Sequence, residues 1–441
     1  MAMITTTSST AVRPRVVIVG SGFGGLNTAL GLAGREVDVT VVDRDNYQGF
    51  WPLLYQVATS GLEADDIASP IRSVLAGHPN IRVRLGTVTG VDLEARRVTI
   101  DGHPPLAYDY LVMAPGSSAS DFGIPGVGEH AFPLKSLPDA LRLRNHVLAS
   151  FESADADADA DAGRPGALTT VVVGGGSTGV EMAGALAELI SHNLAGDFRD
   201  LDVGAARVVL VEMSDHLLPG YLPRSQEAAR RTLEAKGVEL RFATSLAEVT
   251  AAGVRLEDGE TIDAATVVWT AGVKANPLAE QLPGAKGKGG RVEVEPDLSL
   301  PDHPEVFVLG DVALCRDRRG DPLPQVAQVA IQGARRTARN ITRRIEGRST
   351  RPFRYLDHGT MATIGRRSAV AELPGGLAFG GTIGWLAWLV VHLFFLVGRK
   401  NRVVVMVNWA WNYLTWDRAN RVILDVDRDS TGPGSIEAAT G

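Results

Sequence analysis

One cysteine, Cys315, is all that the 441 residues contain. A disulfide framework, a cysteine-rich zinc site and a Cys-x-x-Cys redox pair are therefore excluded, and any electron chemistry has to come from a bound cofactor. Long apolar runs are also missing. Residues 373–398 carry no formal charge, but Pro374, Gly375, Gly376, Gly380 and Gly381 break the first half and leave a dense apolar part at 383–397, fifteen residues long. Roughly 20 are needed to span a bilayer. The first fifteen residues are polar and rich in Thr and Ser, so no secretory signal is expected and the cytoplasm is the expected compartment. Positive charge is in deficit, 44 basic against 51 acidic residues, which argues against a nucleic-acid binder working through bulk charge. The balance is uneven: residues 330–421 hold fifteen basic and four acidic side chains, a basic surface at one end of an acidic chain. Hydrophobic and charged fractions of 45% and 22% are those of an ordinary globular protein, and the length suits two or three domains.

What the sequence does contain is an internal duplication. The apolar run Val16-Val-Ile-Val-Gly20 enters the turn Gly20-Ser-Gly22-Phe23-Gly24-Gly25, and a helical stretch at 26–34 and a strand at 37–43 ending in Asp43 follow. The same order recurs in Thr170-Val-Val-Val-Gly174, the turn Gly174-Gly-Gly176-Ser-Thr-Gly179, a helix at 180–191 and the strand Val208-Val-Leu-Val-Glu212. Each copy closes on an apolar strand that ends in glycine, Gly116 and Gly272, and the opening and closing glycines lie 96 and 98 residues apart. Strand, glycine turn, helix and acid-ended strand form the dinucleotide-binding pattern, so an α/β fold with two Rossmann-type domains is predicted.

Asp43 follows Gly25 by 18 residues, near the spacing expected of a ribose-binding acid; Glu212 follows Gly179 by 33, which requires an insertion around 193–206. Two nucleotide sites suit FAD as a resident carrier and a nicotinamide coenzyme as substrate. Glu212 would accept from a ribose diol and repel a 2′-phosphate, and Met213, Ser214 and Asp215 offer no arginine, so NADH is favoured over NADPH. Gly310-Asp311 ends another strand, at the carboxyl edge where such folds bind ligands, and suits a flavin contact. Glu181 falls in the first turn of the second glycine-turn helix, where a coenzyme pyrophosphate is expected and a carboxylate opposes it. It is either a partner of the helix dipole or a nicotinamide-side, proton-handling group. Gln328 and Gln332 are four apart on one face of a helix predicted at 325–346, a polar pair in an apolar turn. Arg366 and Arg367 read as surface charges facing anionic lipid.

These motifs, together with Pro52-Leu-Leu-Tyr55-Gln56-Val-Ala-Thr59, Thr270-Ala-Gly272-Val and Ala327-Gln328-Val-Ala-Ile-Gln332, resemble the type II NADH dehydrogenases, non-proton-pumping NADH:quinone oxidoreductases. The resemblance runs from about residue 15 to 421, and the Ala-Gln-x-Ala-x-Gln element is its most specific part. It implies a respiratory flavoprotein that takes hydride from NADH on a non-covalent FAD and reduces a membrane quinone. It implies that Gly20, Gly22, Phe23, Gly24, Gly25, Asp43, Gly116, Gly310 and Asp311 serve FAD, and that Gly174, Gly176, Gly179, Glu212 and Gly272 serve NADH. Tyr55, Gln56, Gln328 and Gln332 would border the flavin and quinone, and Glu181 matches a family glutamate near the nicotinamide and quinone. Ser177 stands where the family commonly has proline, and an Asp-Ala repeat is inserted at 154–161.

The expected domains are a tail at 1–14, an FAD domain at 15–120 and 285–372, an NADH domain at 121–284 with an acidic loop at 152–165, and an anchor at 373–441. Five of the seven tryptophans fall in the last quarter and cations flank its apolar segments, as expected of an amphipathic, monotopic anchor on the cytoplasmic face of the cell membrane. The expected partners are a quinone and the lipid surface, with no nucleic acid and no metal; a homodimer is admitted. The rivals are a sulfide:quinone reductase, which one cysteine cannot serve, a soluble reductase of another acceptor, and a non-enzymatic flavoprotein recruited to membranes.

Overall fold

The computed structural model describes residues 13–156, 165–416, 418 and 420–424. The tail at 1–12 and most of the expected acidic loop, 157–164, lie outside these residues. The chain divides into two compact units: Met1–Gln48, Pro70–Ser117 and Lys274–Leu356 form one, and Gly49–Ser69, Ser118–Val273 and Asp357–Gly441 the other.

The first unit holds a six-stranded sheet in the order Ser299–Leu300, His303–Val308, Tyr110–Met113, Arg15–Val19, Asp38–Asp43, Ile81–Leu85. Its strands run parallel except for Ser299–Leu300. Val16–Val19 and Leu111–Met113 are buried throughout, as parallel strands covered on both faces must be. The helix Phe23–Gly31 packs on the helix Ala327–Ile345 at Gly31, where a Cβ would approach the Ala338 methyl to 2.6 Å. A three-stranded antiparallel sheet covers Val88–Ala107.

The second unit repeats the plan with a five-stranded parallel sheet, Phe132–Pro133, Thr266–Trp269, Thr169–Val173, Arg207–Val211, Glu239–Arg241. The helix Ser177–Leu189 leaves its glycine turn and continues into a single π-helical turn, Ile190–Leu194. Against this helix lies the strand Thr360–Gly365 of a second antiparallel sheet, Thr360–Gly380. Two final helices, Gly381–Phe395 and Arg399–Thr415, complete the unit.

These units depart from the expected ranges. Residues 274–284 group with the first unit; Gly49–Ser69 groups with the second, and so does everything from Asp357, with no separate unit beginning at 373. The reason is the packing of 360–365 on the Ser177–Leu189 helix, a contact between segments about 180 residues apart that no local pattern records. No described helix is long and apolar enough to cross a membrane; Gly381–Phe395, at fifteen residues, is about 22 Å long.

Candidate functional site

The two glycine turns solve the same steric problem in the same way. Gly20 and Gly174 have φ of +93° and +104°, conformations that a side chain would strain. A Cβ on Gly25 would stand 1.7 Å from the Gly20 carbonyl oxygen, and one on Gly179 1.8 Å from that of Gly174. Only bare α-carbons let each helix start this close to its strand. Gly22 and Gly176 differ: a Cβ there would meet nothing within 4 Å, so the protein does not require glycine at these positions, and a ligand's close approach would. Each helix begins without a side-chain cap, leaving its first N–H groups for an anion.

An acid closes over each turn. Asp43 accepts from Ser21 N–H at 2.5 Å and Asp45 N–H at 2.9 Å. Glu212 accepts from Gly175 N–H at 2.5 Å, and its other oxygen from Ser214 N–H and Oγ at 2.8 and 2.6 Å. Both Asp43 oxygens, and the Glu212 oxygen that faces Gly175, keep a second lone pair for a ribose hydroxyl. In the first unit Asp311 accepts from Ser117 Oγ at 2.7 Å, and Gln325 donates to the Asp311 carbonyl, with Gly116 and Gly310 at φ +78° and +76°. Ser21 Oγ is buried with no hydrogen-bond partner, an orphan beside the turn of the kind a bound phosphate would satisfy. The residues of the first unit thus fit FAD. Gly24 answers to packing, since a Cβ would reach Leu309 at 2.4 Å; Phe23 is half-buried at the helix start.

Within the second unit a cavity of about 160 Å³ is lined by Tyr55, Lys135, Thr178, Glu181, Trp269 and Gly272, among others. Glu181 is buried and accepts from the Thr363 N–H at 3.3 Å. Burial pushes its carboxyl up to about 8, against the opposing pull of the Thr363 N–H and the Trp388 indole. Burial thus favours the protonated form of this acid inside the cavity. Gly272 carries the ring of Phe122, whose Cζ would lie 2.3 Å from a Cβ there. Ser177 bonds Tyr221 at 3.0 Å, and Tyr221 also receives the Thr360 hydroxyl at 2.7 Å, so the serine anchors the turn to the 360–365 strand.

Tyr55 and Gln56 are both buried in this unit, on the short helix Leu54–Ala58. Gln328 and Gln332 lie in the first unit, on one face of the Ala327–Ile345 helix as expected. The Gln332 carboxamide is committed to the backbone of Leu356, donating at 2.8 Å and accepting at 3.0 Å, while Gln328 Oε1 accepts from Tyr355 at 3.4 Å. The reading of Arg366 as a lipid-facing charge is corrected: its guanidinium lies over the Trp416 ring at 4.2 Å and bonds the Tyr413 carbonyl. The indole face is a better site for that cation than its sequence neighbours suggested. Arg367 is exposed. Sequence reasoning missed Lys135, Thr178, Trp269 and Trp388; only Thr178, within the glycine turn, carried a local signal. Among the described residues no acidic, histidine or cysteine cluster could hold a metal.

The pyridine nucleotide-disulphide oxidoreductase family model matches residues 14–334, and that of the NDH2 C-terminal domain matches 358–416. The type II NADH:quinone oxidoreductase Ndh of Mycobacterium tuberculosis is 41% identical over 427 residues, covering 94% of this chain and 91% of its own. The chain belongs to the type II NADH:quinone oxidoreductases. The Staphylococcus aureus enzyme of that name is 30% identical over 84% of this chain and 91% of its own. In fold, NDH2 from Plasmodium falciparum in complex with NADH superposes with a TM-score of 0.84 at 18% identity, covering 94% of this chain and all of that one. The chain is an FAD-dependent, two-dinucleotide-binding flavoprotein. Disulphide chemistry, part of the broader family's name, has no place here: Cys315 is buried and desolvation raises its thiol to about 12.

Two outcomes are expected. Gly22→Ala, unopposed by protein atoms, should leave the melting temperature of the apoprotein unchanged yet weaken FAD retention, whereas Gly25→Ala should lower both; equilibrium dialysis and thermal melts separate them. Glu181 holds its proton in the folded state up to about 8 but releases it near 4.5 when unfolded. The stability it contributes is thus present below about 4.5 and lost as pH rises to about 8. The melting temperature of Glu181→Gln minus that of wild type should grow across this window and level off above it; a constant difference would place an ionised carboxylate in the cavity.

Proposed function

We propose that the second unit presents the nicotinamide of NADH to the Glu181 cavity and that a quinone is reduced with Glu181 as the nearby acid. FAD, when bound, accepts the hydride and passes two electrons on. Gly20, Gly22, Gly25, Asp43, Ser117 and Asp311 hold it, through helix N–H groups and ribose-directed carboxylates. Gly174, Gly176 and Gly179 take the NADH pyrophosphate. Glu212 orients its ribose and opposes a 2′-phosphate, with the exposed Met213 rather than a cation beside it. Gln328 serves the quinone half of the reaction; Gln332 acts through the Leu356 backbone it holds. The observation that carries this reading is the buried Glu181 carboxyl in a cavity bordered by the second glycine-turn helix, where burial favours its protonated form.

Membrane attachment follows from the last two helices. Ile383, Leu386, Val390 and Phe394 form an exposed stripe on one, and Val403, Met406, Val407, Trp411 and Leu414 on the other, while Trp385, Trp388, Val405 and Trp409 face inward. Both helices are thus apolar on two faces, one for the core and one for lipid, and the second begins with the exposed cations Arg399, Lys400 and Arg402. This arrangement suits a helix pair lying in the interface at the cytoplasmic face. It needs no second copy of the chain.

Anaerobic mixing of the yellow holoprotein with NADH should bleach the flavin, and a quinone should restore it. Gln328→Leu should slow the second step alone, by up to about a hundredfold if one hydrogen bond to the quinone is lost. Flavin that stays oxidised in NADH would defeat the reading. Separately, Ile383→Asp with Val390→Asp should release the protein from vesicles in a flotation assay; retention would remove these helices from the lipid contact.

A further inference from the structure

NADH delivers a hydride, two electrons and one proton, whereas a quinone takes up two electrons and two protons: NADH + H⁺ + Q → NAD⁺ + QH₂. One proton per turnover must come from water. A carboxyl buried as deeply as that of Glu181 can give a proton once, but it needs a route by which it is recharged.

A second cavity, of about 50 Å³, lies in the same unit and shares one residue with the first: Tyr55 lines both. Its other walls include Thr59, Glu188, Thr363, Arg366, Tyr413 and Arg418. That is room enough for water, and Thr59, Glu188, Tyr413 and Arg418 supply polar partners. Arg366 and Asn412, which also line it, are partly exposed, so one wall stands at the surface. Glu188 lines it, two helical turns from Glu181, held by Lys236 Nζ at 2.7 Å, Arg366 N–H at 2.6 Å and Arg418 at 3.1 Å.

The orientation of the Tyr55 hydroxyl is set by its neighbours. The Trp409 indole can only donate, and it donates to Gln56 Oε1 at 2.7 Å. That fixes the carboxamide, whose Nε2 then donates to the Tyr55 oxygen at 2.8 Å. The phenol oxygen accepts on one side and must give its own proton on another. The ionisable groups around it are Glu181 and Glu188 on the Ser177–Leu189 helix, with Tyr413 and Arg418 from the C-terminal segment; Lys135 lines the first cavity only.

We propose that the 50 Å³ cavity is a water-filled proton inlet and that Tyr55 relays protons from it to Glu181. This rests on the assignment of quinone reduction to the Glu181 cavity. In each relay the phenol takes a proton from inlet water as it releases its own toward the Glu181 carboxylate; the hydroxide left behind is neutralised from bulk solvent. Burial keeps the phenol well above its usual range, so it stays protonated between relays and never rests as a phenolate. Tyr55 is a relay and positioning residue, not a group that exchanges electrons.

Stopped-flow measurement on the FAD-loaded enzyme tests this, with each half-reaction followed separately and a short-chain quinone as oxidant. Tyr55→Phe keeps the ring and removes the relay. Flavin reoxidation should slow about tenfold or more relative to flavin reduction, with an enlarged solvent deuterium isotope effect. Added imidazole, small enough to carry protons, should restore part of the rate. Ala185→Val, which adds methyl groups to the inlet without touching the first cavity, should give the same pattern with flavin reduction unchanged. The inlet is overturned if both variants reoxidise at the wild-type rate, or if slowing occurs without any change in isotope effect or rescue by imidazole. A wild-type enzyme whose flavin is not reoxidised by quinone at all would instead defeat the assignment of function.

Discussion

At Gly184 the helix Ser177–Leu189 has no side chain, and the strand Thr360–Gly365 takes the space: a Cβ there would lie 2.4 Å from the Ile364 carbonyl oxygen. The chemistry of the second unit depends on that approach. Glu181 and Glu188 stand three residues before and four after Gly184, on the same helix face, so a strand seated on the glycine buries both acids. The strand then supplies the Thr363 N–H to Glu181, and Arg366, the residue after it, donates its N–H to Glu188. The company of the two carboxylates differs. Glu188 receives two cations; Glu181 receives none, and burial raises its carboxyl.

Much of the fold was legible because its signals are local. Gly20 and Gly25, or Gly174 and Gly179, are five residues apart, and what they must do, bend backward and let a helix approach, is decided within one turn. The acids Asp43 and Glu212 end the adjacent strands and bond back to the turns, so their spacing carried the meaning. The first of the final helices was visible as the apolar segment 383–397, and its bounds, Gly381–Phe395, moved by only two residues.

What stayed hidden was long-range. Nothing near Glu181 in sequence says that Thr363 and Trp388 will enclose it, and so its protonation could not be decided against the helix dipole. Nothing near Arg366 says that Trp416 will lie beneath it, itself stacked on His192 at 3.8 Å. Gly49–Ser69 looked like part of the first domain by position alone; its partners, Trp409 for Gln56, Asn408 for Asp66 and Val397 for Ser69, all come from the end of the chain. Gln332 was chosen for its face, correctly, but its amide was already engaged by a backbone 24 residues on.

The exposed stripes of the two last helices have a colloidal consequence. A molecule bearing two such ribbons has, in plain water, an interfacial tension that it can lower only by meeting another apolar surface. With acidic net charge over the whole chain, −7, repulsion between copies is modest and falls as salt screens it. Dispersal is then set less by the protein than by what surrounds it: amphiphile acts as a solvent component, and its removal acts as a precipitant.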